Sequence, residues 1–179
     1  MAHIFIDAMG GDHAPESTVL GTIEALRALP ELKVSIGGDL RLIEPYLADA
    51  GDVSARISLV DAPDTITNHA APAMAIRQKK NSSIVKGMLA VREKAADGFV
   101  SAGSTGAVLT GGMLRLGRIP GIERPALAPL LPNGKSQFLL IDCGANIDCK
   151  PEWLVQFGIM GDAYMRVVFG MDKPRIGLI

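Results

Sequence analysis

The segment Ser101-Ala102-Gly103-Ser104-Thr105-Gly106-Ala107 has the residue types of a backbone anion site. It reads as a strand end, a glycine turn and a helix start. Free N–H groups there point outward, and the helix dipole adds positive potential. Glycines let an anion approach the backbone, and Ser104 and Thr105 add hydroxyl donors. A phosphate or a carboxylate suits such a place; a tight turn with an ordinary Ser/Thr cap has the same residues. Two nucleotide patterns do not fit. Gly134-Lys135-Ser136 has Pro129 where a phosphate-binding loop needs its first glycine, and no G-x-G-x-x-G is present.

Three further segments carry charge. In Arg77-Gln78-Lys79-Lys80-Asn81-Ser82-Ser83, cations precede a serine-capped helix start, where acids are usual. They make sense sharing an anion with the helix end, or as a solvated basic turn. His69, upstream, reads more readily as a surface or core histidine than as a base. In Arg118-Ile119-Pro120-Gly121-Ile122-Glu123-Arg124-Pro125, the proline holds Arg124 extended, so its guanidinium can grip phosphate or close a salt bridge. Asp7-Ala8-Met9-Gly10-Gly11-Asp12 and Asp142-Cys143-Gly144-Ala145-Asn146 are acids at strand ends followed by glycine loops. They can bind metal, orient a lysine or cap the loop, and no histidine–carboxylate cluster accompanies them. Cys143 and Cys149 read as small core residues, and Trp153 as packing.

The elements that must position these residues follow from periodicity. Strands are expected at 3–7, 32–36 (stopped by Gly37-Gly38), 56–60 and 98–101. Helices are expected from Glu16 or Ser17, with Val19, Leu20, Ile23, Leu26 and Leu29 inward, over 40–50, from Ser82 or Ser83 with Ile84, Met88, Val91 and Ala95 inward, and after Gly106 with Val108, Leu109, Met113 and Leu116 inward. Residues 61–80 read as irregular. A strand pair at 126–131 and 137–141 turns at Pro132-Asn133-Gly134-Lys135 and adds a hairpin to the sheet. Pro151 opens a helix to about Val168, and 175–179 reads as a strand. Alternating strands and helices predict an α/β fold, three layers with a mostly parallel sheet. Residues 1–179 read as a single α/β domain. Ile179 falls inside an expected strand, which leads us to expect the N-terminal part of a longer chain.

Composition narrows the function classes. With 48% apolar and 21% charged residues the chain is of globular type, and 18 basic against 19 acidic groups create no general field for nucleic acid or anionic membrane. Aromatics are 4%, too few for stacking platforms, so no nucleic acid is expected. Two cysteines make neither a disulfide framework nor a complete zinc site. Asp7 interrupts the first apolar stretch, and the longest charge-free run, 17 residues with five glycines, does not suit a membrane span. A cytoplasmic location is expected.

The segments 7–15, 76–83, 101–107, 121–126 and 142–146, in this order, resemble the bacterial phosphate acyltransferase (PlsX) family of phospholipid synthesis, and the similarity continues through 156–161 to 174–179. The resemblance implies transfer of a fatty acyl group from acyl-[acyl carrier protein] to orthophosphate, giving an acyl phosphate that a membrane acyltransferase consumes. It implies an isocitrate/isopropylmalate dehydrogenase-like αβα fold, related to phosphotransacetylase, a homodimer, no metal or other cofactor, and peripheral membrane association in some members. It also implies that a cleft of two halves is incomplete in residues 1–179. On this reading Lys79, Arg124, Asp142 and Asn146 are catalytic. Ser82, Ser83, Ser101, Gly103, Ser104, Thr105 and Gly106 bind phosphate or substrate, and Asp7, Gly10, Gly11 and Asp12 shape the first loop. One position departs: Ser104 stands where the family turn usually has Asn, and serine is shorter with one donor.

Overall fold

The strands β1 (Ala2–Asp7), β2 (Leu32–Gly38) and β3 (Ile57–Asp61) send alternating side chains to two faces, and the helix α1 (Glu16–Ala28) packs on one of them. Val34 and Ile36 of β2 point to one face, where Val19, Ile23 and Leu26 of α1 cover them together with Ile43, Ala50 and Val53. Phe5 of β1 points to the other face and is 2% exposed. It lies beside Phe99 of β4 (Gly98–Val100), with ring centroids 6.2 Å apart. The helix α4 (Ser83–Arg92) rests on both rings through Gly87. A β-carbon at Gly87 would come 2.3 Å from Phe99 Cδ2, so only glycine permits this approach. Burying a ring such as Phe5 contributes roughly 1.5–3 kcal/mol.

The computed structural model describes all residues, 1–179, and the chain packs as two compact units, Met1–Gly117 and Arg118–Ile179. The first is an α/β unit on a four-stranded parallel sheet in the order β3-β2-β1-β4. Helices α2 (Leu40–Ile43), α3 (Pro72–Gln78) and α5 (Thr105–Gly111) complete it, with a 3₁₀ segment at Glu44–Ala50 and a π-helical turn at Gly112–Leu116. The second holds an antiparallel hairpin, β5 (Leu130–Pro132) with β6 (Gln137–Leu139), and the long helix α6 (Pro151–Phe169). Pro151 opens α6, and Gly170, at φ 64°, closes it in the left-handed conformation. No helix is long and apolar enough to cross a membrane.

Several expectations need correction. β2 does not stop at Gly37: Gly37 pairs with both β1 and β3 and Gly38 with β3, because ladder bonds use only backbone. Residues 61–80 are not wholly irregular: Pro72 opens α3 at a position where no N–H is needed. The 40–50 helix tightens to 3₁₀ geometry from Glu44, with Pro45 in its first turn. Leu29 and Ala95 lie past their helix ends and are exposed, whereas Thr22 enters the core by donating to the Thr18 carbonyl at 2.6 Å. The hairpin forms its own two-stranded sheet, shorter than expected, and residues 175–179 form no strand.

Candidate functional site

Strand order predicts where a ligand sits in the first unit. From β1 the sheet grows through β2 to β3 on one side, and β4 lies on the other. The order therefore reverses between β1 and β4, and open parallel sheets bind ligands beyond the carboxyl ends of strands at such a switch point. The loop after β1 carries Asp7, Gly10, Gly11 and Asp12, and the turn after β4 carries Ser101 to Gly106.

Asp7 ties these segments together. Its carboxylate is 2% exposed and accepts from the Met9 amide at 3.1 Å, from Ser101 Oγ at 2.7 Å and from Ser83 Oγ. Ser101 Oγ in turn accepts from the Gly103 amide at 3.0 Å. Backbone then packs on backbone: a β-carbon at Gly10 would lie 2.6 Å from Gly103 N. One buried carboxylate thus joins the ends of β1 and β4 to the start of α4. Ser82 is fully buried and caps α4, accepting from the Val85 amide at 3.3 Å. Ser104 caps α5, accepting from the Ala107 amide at 3.3 Å, and Thr105 is exposed. A β-carbon on Gly106 would come 3.0 Å from Pro72 Cγ, so this glycine admits α3. Gly11 has φ +104°, a turn conformation that favours glycine, and Asp12 is exposed beside it.

Three serines expected to face a ligand therefore spend their hydroxyls on the frame. Ser83 and Ser101 donate to Asp7, and Ser82 serves its helix. Lys79 donates through Nζ to the Thr65 carbonyl, and the Asn81 amide donates to Asp64 Oδ2 at 3.1 Å. Asp64, unremarked in the sequence, holds the basic turn at 77–83; its only sequence signal is that it is an acid within a proline-containing stretch.

The second unit assembles Arg124, Asp142 and Asn146 by themselves. Asp142 accepts from the Leu127 amide at 2.6 Å and from the Asn146 amide at 2.7 Å. Asn146 Nδ2 donates to the Pro125 carbonyl at 3.1 Å. Both side chains thus brace the loop that carries Arg124. The Arg124 guanidinium carbon lies 5.0 Å from the centroid of the Trp153 ring, and Lys150 Nζ lies 5.6 Å from it. Trp153 Nε1 donates to Glu123 Oε2 at 2.9 Å. Trp153 is therefore more than packing: it is a platform for two cations, which sequence reading missed. Both cysteines are half-buried and free.

Electrostatic shifts lie at the surface. Arg27 holds the Asp52 carboxyl below its usual range, and the hydrogen bond from Arg41 does the same for Asp39, the cap of α2. Asp162 raises Arg166 further. No three His, Cys, Asp or Glu side chains gather closely enough to hold a metal ion.

The fold resembles a phosphotransacetylase from Streptococcus pyogenes, with TM-score 0.68 and 18% identity over 96% of this chain and 55% of that one. The EutD phosphotransacetylase from Staphylococcus aureus matches at TM-score 0.67 and 21% identity, over 96% and 54%. Proteins named phosphate acyltransferase are 47% identical in Clostridium acetobutylicum and 46% in Brevibacillus brevis, each over 98% of this chain. These matches take in 53% and 52% of the relatives, so the chain spans about half their length. The family model described as fatty acid synthesis protein matches residues 2–179, and the chain belongs to that family.

Proposed function

We infer that this protein moves a fatty acyl group from acyl-[acyl carrier protein] to orthophosphate, giving an acyl phosphate for phospholipid synthesis. The observation that carries the reading is the identity of 47% to a phosphate acyltransferase over 98% of the chain, with the glycine turn at a strand-order reversal in support. Phosphate is the nucleophile. Its oxygen forms the new bond to the thioester carbonyl carbon, the carbon–sulfur bond breaks, and the carrier thiolate leaves and takes up a proton. No serine or cysteine nucleophile is required. The protein must align phosphate with the thioester and stabilise the oxyanion. Alignment supplies about 7–11 kcal/mol of the barrier, and one oxyanion donor about 3–4 kcal/mol.

In this proposal the backbone of Gly103–Gly106, with Ser104 and Thr105, binds phosphate in the first unit, and Arg124 is a phosphate-binding residue of the second. Lys79 acts in catalysis only by exchanging its Thr65 partner for substrate. Ser82, Ser83 and Ser101 support the binding turn, and Asp7, Gly10, Gly11 and Asp12 shape the first loop. Asp142 and Asn146 orient the Arg124 loop. The proposal takes residues 1–179 as one α/β domain of a longer, isocitrate dehydrogenase-like homodimer that works in the cytoplasm, peripheral to the membrane and its acyltransferase, without a cofactor.

Incubation of the full-length protein with acyl-[acyl carrier protein] and orthophosphate, followed by hydroxylamine, tests the reading. Acyl hydroxamate that requires both substrates supports it. Hydroxamate formed only from acyl-coenzyme A would assign a phosphotransacetylase instead, and none from either donor would remove the activity.

A further inference from the structure

Three of the chain's cations stand immediately before prolines, Arg124, Lys150 and Lys173, and the first two share a neighbour. Proline disfavours the helical conformation in the preceding residue, and Lys150 is extended, with φ −73° and ψ 152°. The two side chains then meet on one indole, at 5.0 Å for the Arg124 guanidinium carbon and 5.6 Å for Lys150 Nζ from the Trp153 ring centroid. Exposed long cations usually diverge into water, since like charges repel. Here both lie within cation–π range of the same ring. The chain's four ion pairs involve Arg27, Arg41, Arg92 and Arg166, so neither Arg124 nor Lys150 is neutralised by a carboxylate. The neighbouring acid, Glu123, is turned to the indole edge by the bond from Nε1 at 2.9 Å, and its amide donates to Gln156 Oε1 at 2.8 Å. The base beneath is stiff, because Asp142 and Asn146 tie residues 125, 127 and 146 together. Two unpaired cations preset on a rigid ring suit a tetrahedral oxyanion, which each can grip by charge-assisted hydrogen bonds.

We propose that Arg124 and Lys150, seated on Trp153, form a phosphate-binding site in which Lys150 is the second binding residue. The identification of phosphate as the ligand rests on the proposed function. Trp153 is the only tryptophan, so its emission reports on this site alone. The test is a fluorescence titration of the whole chain with orthophosphate at constant ionic strength, with chloride as control and a simple alkyl phosphate as a separate arm. The expected result is a saturable change with orthophosphate and none with chloride. Lys150→Ala and Arg124→Ala each weaken apparent binding about tenfold, equivalent to about 1.4 kcal/mol. Lys150→Arg retains binding, and Lys33→Ala, an exposed position near the start of β2, titrates like the parent. Far-UV circular dichroism verifies the fold of each variant, and Lys150→Met, which keeps the apolar stem, repeats the charge removal. Tighter binding of the alkyl phosphate than of orthophosphate would assign the site to the phosphate group of a larger substrate. An absent or chloride-like response, or an unchanged titration in both Lys150→Ala and Lys150→Met, overturns the site. If acyl phosphate forms while Trp153 ignores phosphate, the site fails and the proposed function stands. If Trp153 responds but no acyl phosphate forms, the function fails and the site stands.

Discussion

The two groups of candidate residues are built in opposite ways. In the first unit, Asp7, Ser83, Ser101, Gly10 and Gly103 interlock below the surface, and their polar atoms serve one another. In the second, Arg124 and Lys150 stay exposed and only their loops are braced. Residue type alone hides this difference, since serines and glycines beside a turn look like ligand donors while a tryptophan looks like core. Hydrogen-bond partners reveal it. A hydroxyl already donating to a buried carboxylate has no proton left for a phosphate, whereas an unpaired guanidinium has all of its donors.

The comparison breaks most sharply at Asp7. Asp7→Ala leaves the Met9 amide and the Ser83 and Ser101 hydroxyls without their acceptor, and should lower unfolding free energy by about 3 kcal/mol in urea titration. A loss below about 1 kcal/mol would show that the loops hold without it. Gly10→Ala comes next. Its methyl would press on the Gly103 backbone at 2.6 Å, for about 2 kcal/mol of overpacking, whereas Gly112→Ala meets nothing within 4 Å and should be neutral or slightly stabilising in thermal melts.

In the second unit, Asp142→Ala frees two partly exposed amides. It should cost about 1 kcal/mol of stability and yet weaken phosphate binding, because the Arg124 loop loosens. The smallest effect is a surface one. Arg27 lowers the Asp52 pKa in the folded state, so this pair contributes stability above the ordinary aspartate range. That contribution fades as pH falls through the lowered value. Asp52→Asn should therefore narrow the gap from the parent in acid melts while leaving a small deficit at neutral pH.

Much of the first unit was legible in the sequence because β1, α1 and β2 carry clean periodicity, and the runs around Ile4, Ile23 and Val34 have one register that buries them. The helix that leads into the basic region was not, since α3 has only seven residues and begins at a proline that reads as a breaker. Residues 175–179 have strand-forming side chains, but a strand also needs a neighbour's backbone, which local sequence does not reveal. The site divides in the same way. The turn at 101–107 and the Arg124 loop were visible as motifs. The bonds from Asp7 to Ser83 and Ser101 span 76 and 94 residues, and no local pattern encodes such distances. Lys150 did leave a signal, its place before Pro151, which was read only as a helix start.

The central proposal is that exposed groups bind phosphate, the glycine turn in the first unit and Arg124 in the second, whereas the buried Asp7 frame stabilises its turn and does not itself bind. The most direct measurement is the phosphate dependence of acyl phosphate formation in Arg124→Ala and Thr105→Ala variants of the full-length protein. The account predicts that KM for phosphate rises about tenfold or more in Arg124→Ala and by less in Thr105→Ala, with thermal stability nearly unchanged in both. An unaltered phosphate KM in both variants would contradict it.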